Sequence, residues 1–412
     1  MSPRLSLPAL AVVGVWLCAA AAAAEAQQLD LSAYVGSGDN VTRVSAENES
    51  DQLYLGFQGN VSFERERPRH TLSTRLGAAL RWFPDSGQFL TMDRSASVGV
   101  DARLTAASRL KASQTVQYSP YRQFGPSIFP AAGVGELPLY NPDGAATFGE
   151  SFYDFGSLLE VSHRLSERTT VAIDYRFRLG VADGASELPV SHRAGVGLRR
   201  VVGQYAALKL GTAYRFSRTG FYVTDLPTRA IDFDIGIDYN RPLSFSRGTT
   251  LSFSSGTALI SRSATATDPG ELGRQFVGIA AVTLSQAIGR HWEAQLGADR
   301  NLQYVDGFAD PFYATRFTGR LSGQIGRTVT ALASANYSTG GGIGTSILSQ
   351  NFDGFQAEAR LNYRVARRWQ LFGAYYFTEN RLSPDSLRNL PLGTVLRPNQ
   401  ASVQIGVNFS ID

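Results

Sequence analysis

From Leu29 onward, apolar and polar residues alternate along the chain in segments separated by turn-rich gaps. Leu53, Leu55, Phe57, Val61 and Phe63 alternate with Tyr54, Gln58, Asn60, Ser62 and Glu64. Leu72, Leu76, Ala78, Leu80 and Trp82 alternate with Ser73, Arg75, Gly77 and Arg81. The same pattern returns over Thr170–Arg178, Ile231–Asn240 and Phe355–Arg364. At the end of the chain, Val403, Ile405, Val407, Phe409 and Ile411 alternate with Gln404, Gly406, Asn408 and Ser410. A period of two puts successive side chains on opposite faces, so each segment reads as a strand with one apolar and one polar face. No helical period of useful length, linker or low-complexity block interrupts the series. Residues 27–412 therefore read as one all-β domain.

Two features separate a membrane barrel from a soluble sandwich, which also alternates. The segments run to roughly ten residues or more, beyond the ~5–6 usual in soluble sheets and enough to cross a bilayer at a tilt. Their connections also differ by parity. Short ones fall near 65–69, 106–108, 165–167, 201–204, 242–248, 288–290, 326–327 and 366–368. Long ones fall near 37–50, 83–93, 120–149, 181–188, 218–228, 260–272, 305–313, 339–353 and 380–398. Short periplasmic turns and long extracellular loops are the rule for transmembrane antiparallel β-barrels of the outer membrane. The expected count is about eighteen strands, with both termini on the short-turn side. It drops to about sixteen if Leu29–Gly36 stays out of the sheet or two segments merge. An irregular insertion within 242–258 or near 271–286 would also shift it. Aromatic residues such as Trp82, Tyr118, Tyr153, Trp292, Tyr313 and Trp369 recur near segment ends, as interfacial girdles require.

If the apolar face meets lipid, the polar face meets the lumen. Its basic members are Arg75, Arg81, Arg103, Lys111, Arg176, Arg178, Arg193, Lys209, Arg215, Arg316, Arg320, Arg360 and Arg364. Acidic members include Asp101, Glu160, Asp174, Asp232, Asp234, Asp238, Glu293 and Glu358. Charges of both signs at this density cannot be buried dry. They fit a water-filled barrel, which about sixteen to eighteen strands are wide enough to enclose. Each charge is then either part of a solvated, ion-paired wall or part of a track for an acidic solute. Arginine dominates, and its planar fork suits carboxylate, phosphate and sugar hydroxyls.

The N-terminus has Arg4, an apolar run from Ala9 to Ala24, and Ala24-Glu25-Ala26 before Gln27. That is a secretory signal peptide over residues 1–26, cleaved after Ala26. A lipoprotein signal using Cys18 is the rival, disfavoured by the bulky Val15-Trp16-Leu17 before it. Cys18 is the single cysteine, so disulfides, thiol catalysis and Cys-ligated metal are excluded from the mature chain. The formal charge of +4 is too weak and dispersed to imply a nucleic-acid partner.

No cofactor or enzyme signature appears. The four histidines, His70, His163, His192 and His291, show no metal-ligand spacing. No nucleophile elbow or phosphate-binding loop lies in a fitting context. Asp39, Asp306 and Asp310 could serve Ca²⁺, but their spacing specifies no site. The longest connection, Tyr118 to Gly149, is rich in Pro and Gly. It is the third long one, and it either folds inward to narrow a pore or stays at the surface.

Two stretches carry family resemblances. Gln404, Gly406, Phe409 and Ile411 resemble the C-terminal signal by which the outer-membrane insertion machinery recognises barrel clients. The chain departs from it in ending on Ile411-Asp412 and not on the aromatic. Ser32-Ala-Tyr-Val-Gly-Ser-Gly-Asp39-Asn40-Val41-Thr-Arg43, followed by Asp51-Gln-Leu-Tyr-Leu-Gly-Phe57, resembles the opening of β-barrel porin families that accompany exopolysaccharide systems. The resemblance implies a Gram-negative outer-membrane channel for polar solutes, with saccharide as a candidate cargo and membrane lipid as its surroundings. A surface-anchoring barrel with a plugged lumen is the alternative, and an outer-membrane enzyme a third.

Overall fold

The computed structural model describes residues 28–39, 51–82, 84, 90–119, 122–123, 146–148, 152–182, 190–218, 228–244, 248–262, 275–303, 312–342, 351–382, 395–396 and 399–411. The signal segment 1–26, most of 120–151, and Asn40, Val41, Arg43, Asp306 and Asp310 lie outside them.

Eighteen strands form one closed antiparallel sheet. The first six are β1 (Gln28–Asp39), β2 (Asp51–Arg67), β3 (His70–Trp82), β4 (Leu90–Arg103), β5 (Ser108–Ser119) and β6 (Phe152–Ser166). Next come β7 (Thr169–Ala182), β8 (Val190–Val201), β9 (Ala206–Arg218), β10 (Thr228–Ser244), β11 (Thr249–Arg262) and β12 (Gln275–Ile288). The last six are β13 (Trp292–Gln303), β14 (Phe312–Ile325), β15 (Val329–Gly342), β16 (Asn351–Arg364), β17 (Trp369–Leu382) and β18 (Asn399–Ile411). Each strand pairs with the next in the chain, and β1 closes on β18 from Leu29↔Ile411 to Gly38↔Ser402. Closure removes every sheet edge, which a spanning structure requires where no water can satisfy the backbone.

Short and long connections alternate without exception. Short connections span 68–69, 104–107, 167–168, 202–205, 245–248, 289–291, 326–328 and 365–368. Gly248, Gly289 and Gly326 stand in three of these connections with φ of 57°, 66° and 70°. There a side chain would clash with its own backbone. Several strands extend further into the long connections than alternation shows: β1 reaches Asp39, β4 begins at Leu90, and β17 continues to Leu382. Pairing along a ladder does not need apolar residues, so Gly- and Ser-rich ends stay in the sheet. The strand irregularity begins before 242 on β10 and continues into 242–258. Between β10 and β11 the register passes from Phe233↔Thr257 to Tyr239↔Phe253 and shifts again at Pro242/Ser244. Gly236 sits inside that bulge, where a Cβ would meet the Ser255 carbonyl.

The two faces of the sheet differ sharply. The outer face exposes large apolar side chains all round: Phe57 55%, Ile173 58%, Ile235 64%, Phe276 74%, Leu296 60%, Leu361 55% and Ile405 67%. In water this belt would be an aggregation surface; in hydrocarbon it is the expected exterior of a spanning barrel. The opposite parity forms the concave interior. One recess there is lined from β16 round to β5 by Arg360, Phe372, Gln404, Tyr34, Asp93 and Gln117.

The seam is closed by aromatic rings seated on glycines. Tyr34 faces Gly56, Tyr54 faces Gly36, and Tyr34 also faces Gly406. A Cβ built at Gly36 would overlap the Tyr54 ring, at Gly56 the Tyr34 ring, and at Gly406 both Tyr34 and Phe372. Tyr34, Tyr54, Phe372 and Ala374 make a buried cluster inside the barrel, with Tyr376 against it. Tyr34 meets Tyr54 edge-on at 6.2 Å and Phe372 at 6.3 Å. Gln404 Nε2 donates to the Tyr54 hydroxyl at 2.9 Å, and Arg81 Nε donates to the Tyr34 hydroxyl at 3.4 Å.

Candidate functional site: the charged interior wall

The interior wall is a lattice of arginines and carboxylates on neighbouring strands. Arg178 of β7 holds Asp154 of β6 through Nε at 2.9 Å and Nη2 at 2.9 Å. Arg193 of β8 holds Asp174 of β7 in a short ion pair, and Arg176 approaches the same carboxylate at 3.8 Å. Gly195 makes this possible, because a Cβ there would crowd the Asp174 carboxylate and the Arg193 guanidinium. Asp238 of β10 takes both Arg199 at 3.2 Å and Lys209 at 3.1 Å. Arg316 of β14 holds Asp299 of β13 at 2.7 Å, with side chains only 15% and 21% exposed. Arg109 of β5 holds Asp101 of β4 at 2.5 Å.

The register brings Arg176, Arg193 and Arg215 into one cross-strand row on β7, β8 and β9. Like charges directly opposite one another repel. Asp174 relieves part of that repulsion from the row below. Small residues beneath the row, Gly195, Gly197, Gly211 and Ala213, leave the guanidinium groups room. The Arg176 side chain remains 61% exposed, as does 46% of Arg178. These two project from the wall, whereas Arg193 and Arg316 are held into it.

The remaining basic residues of this parity have varied settings. Arg81 is 5% exposed and packs over Tyr54, 5.9 Å from the ring centre. Arg360 lies 4.5 Å over Phe372 and donates to Asn362. Lys111 stands opposite Asp101 and Glu160. Arg75 stands between Ser62 and Ser97, and Arg320 between Gln295 and Ser334. Arg103 and Arg364 sit beside short turns, paired with Arg109 and Gln370. The recess at the seam holds about 120 Å³ among Ser32, Asn60, Asp93, Gln117, Arg360 and Tyr376. Asp93, Arg109, Asp299 and the interior aromatics Tyr34, Phe372 and Tyr376 were not marked by alternation alone. For Tyr34 and Phe372 the signal was parity: an aromatic in the polar register, opposite a glycine.

The C-terminal residues divide between the faces. Gln404 and Gly406 are interior and belong to the seam. Phe409 packs on Trp369 at 4.8 Å on the exterior, and Ile411 pairs with Leu29. The histidines make local contacts. Ser108 Oγ lies 2.8 Å from His163 Nδ1 and 3.0 Å from Thr105 Oγ1 beside a turn, and His192 Nδ1 lies 2.9 Å from the Tyr175 hydroxyl. Among the described residues no group of His, Cys, Asp and Glu could hold a metal ion.

Fold and wall together define a membrane-spanning β-barrel with a polar, ion-paired interior. No family model and no curated protein matches the chain. It is similar to solved barrels over nearly the whole of both chains. Against Pseudomonas aeruginosa OccK2 (OpdF) in complex with glucuronate, identity is 9%, coverage 94% of this chain and 98% of that one, and TM-score 0.46. Against Pseudomonas aeruginosa OprD the values are 11%, 94%, 95% and 0.43. Against Acinetobacter baumannii OccAB4 they are 9%, 93%, 97% and 0.42.

Proposed function

We propose that this barrel is a porin-like channel of the Gram-negative outer membrane that passes polar solutes, anionic or neutral saccharides among them. The observation that carries the reading is the interior wall. Ion-paired charges line it, and Arg176 and Arg178 project from it with most or much of their side chains in solvent. A dry interior would not tolerate them. An eighteen-stranded barrel is wide enough to hold water around them. The basic residues of the wall are the solute track in this reading, the carboxylates their counter-charges. The link to exopolysaccharide rests on the opening-strand resemblance. No step of chemistry is assigned to the interior. Proteoliposome swelling tests the proposal: vesicles carrying the folded barrel are expected to swell in isotonic monosaccharide, and a rate equal to empty vesicles contradicts it.

Residues 1–26 serve as a cleaved export signal, and the last strand as the recognition signal for the insertion machinery. Phe409→Ala with Ile411→Ala is expected to cut the heat-modifiable, membrane-inserted fraction several-fold in cells. Insertion at the native level would contradict the signal. Unassisted refolding into detergent separates loss of recognition from loss of stability.

A specific feature favours the second reading, a plugged surface barrel. Ala146–Phe148 pairs with Arg122–Gln123 and with Val395–Leu396, so the connection after β5 meets the connection after β17. On that reading, deleting 124–145 raises solute flux several-fold; on the channel reading flux is already present without the deletion.

A further inference from the structure

Several arginines stand on the lipid-facing parity, and two of them lie over tyrosine rings. Arg94 of β4 lies between Ala78 and Tyr118 in register, in line with Ala96 and Val98. Arg300 of β13 lies between Ala280 and Thr315, in line with Ala298. Both are exposed. Each guanidinium is held over a tyrosine of the next strand, Arg94 at 5.8 Å from the Tyr118 ring centre and Arg300 at 4.2 Å from that of Tyr313. Tyr118 is itself packed on Tyr153 at 4.7 Å, and the Tyr313 hydroxyl donates to the Gly278 carbonyl. The rings are therefore fixed to the outer wall and hold the cations there. Arg94 is near the start of β4 and Arg300 near the end of β13, which are both long-connection ends. The two strands lie half a circuit apart.

A cation facing lipid is unfavourable, and least so near the interface. A free arginine there stretches toward water. One laid flat on a ring stays at the level of the headgroups and offers its fork to a phosphate. The wall beside Arg300 also has the shape for the rest of a lipid. Ala280 and Ala298 are small residues beside Arg300 on this face, and Gly278, in line with Ala280, carries the Tyr313 hydroxyl. Phe276, Leu296 and Phe317 rise around them, exposed by 74%, 60% and 50%. A surface of this kind accepts an acyl chain whose headgroup reaches the guanidinium.

We infer that Arg94–Tyr118 and Arg300–Tyr313 are headgroup clamps for a phosphorylated glycolipid of the outer leaflet, one on each side of the barrel. The assignment of the leaflet rests on the outer-membrane reading above, which places the long connections outside the cell. The charge and the apolar surface would fit an anionic phospholipid as well, so the test separates the two. The folded full-length barrel in mild non-ionic detergent is titrated with lipid A, phosphatidylglycerol and phosphatidylcholine, and retained lipid is counted by native mass spectrometry. Heat-modifiable mobility verifies that each variant is folded. Wild type is expected to retain lipid A most tightly. Arg94→Gln and Arg300→Gln should each weaken it about five-fold, and together by more. Equal lipid A binding by wild type and the double variant overturns the clamps. Equal retention of phosphatidylglycerol and lipid A overturns the glycolipid assignment. Cell fractionation keeps the two readings apart. A barrel absent from the outer membrane sinks the location, whereas a correctly placed barrel with unchanged lipid binding sinks the clamps alone.

Discussion

Tyr54→Ala is expected to give a barrel that unfolds at markedly lower urea than wild type, with a large unfolded fraction under mild conditions. Tyr54 is fully buried in the seam, where its ring fills the notch over Gly36. Removing a buried aromatic of this size costs about 3–5 kcal/mol. The loss also strands the Gln404 amide, which is 6% exposed and donates to the Tyr54 hydroxyl. An orphaned buried donor adds about 1–3 kcal/mol. Tyr54→Phe separates the two contributions, because it keeps the ring and loses only the bond. It should fall between wild type and Tyr54→Ala. Urea-dependent refolding into detergent micelles or vesicles measures all three. If Tyr54→Ala and wild type share one midpoint, the glycine-seated rings do not hold the seam.

Replacing Arg176, Arg193 and Arg215 together by Gln is expected to move the channel from anion preference toward cation preference. The row concentrates three positive charges on adjacent strands, with Asp174 against Arg193 and Arg176. A lined cleft of one sign raises the local concentration of counter-ions by roughly ten-fold or more. Taking the row away leaves Asp174 and Glu160 on the same wall and makes it less positive. Reversal potential across a salt gradient reads the change directly, as a shift toward the cation side. The shift should shrink at high ionic strength, because exposed charges such as Arg176 are screened there. An unaltered reversal potential would mean that the permeating ions do not pass this row. Arg193→Gln alone should also lower stability, since it leaves the partly buried Asp174 without its short ion pair.

The alternation of Leu, Val, Ile and Phe with polar residues was enough to find the strands, their parity and the segregation of short from long connections. It worked because a spanning barrel offers each strand residue only two faces, an apolar exterior and a polar interior. The pairing of Leu29–Gly36 with the last strand, on which the count of eighteen depended, is present in the sheet. Three things were not legible. Strand ends such as Ser37–Asp39 and Gly340–Gly342 stay paired although they carry no apolar signal. The bulge around Gly236 depends on how β10 meets β11, and a single strand's pattern holds no trace of it. The seam depends on three strands at once: Tyr34 fits because Gly56 and Gly406 lie on either side of it. In the wall, alternation supplies the face of each arginine but not its partner. Arg81 and Arg176 look alike along the chain, yet one is packed against Tyr54 and the other reaches into the lumen.

The barrel, purified in folded form and added to a planar lipid bilayer, tests the central claim most directly. An open, water-filled interior gives discrete, uniform current steps as single molecules insert. Insertion confirmed by protease protection and heat-modifiable mobility, without any current step, would contradict the open lumen and leave the plugged barrel in its place.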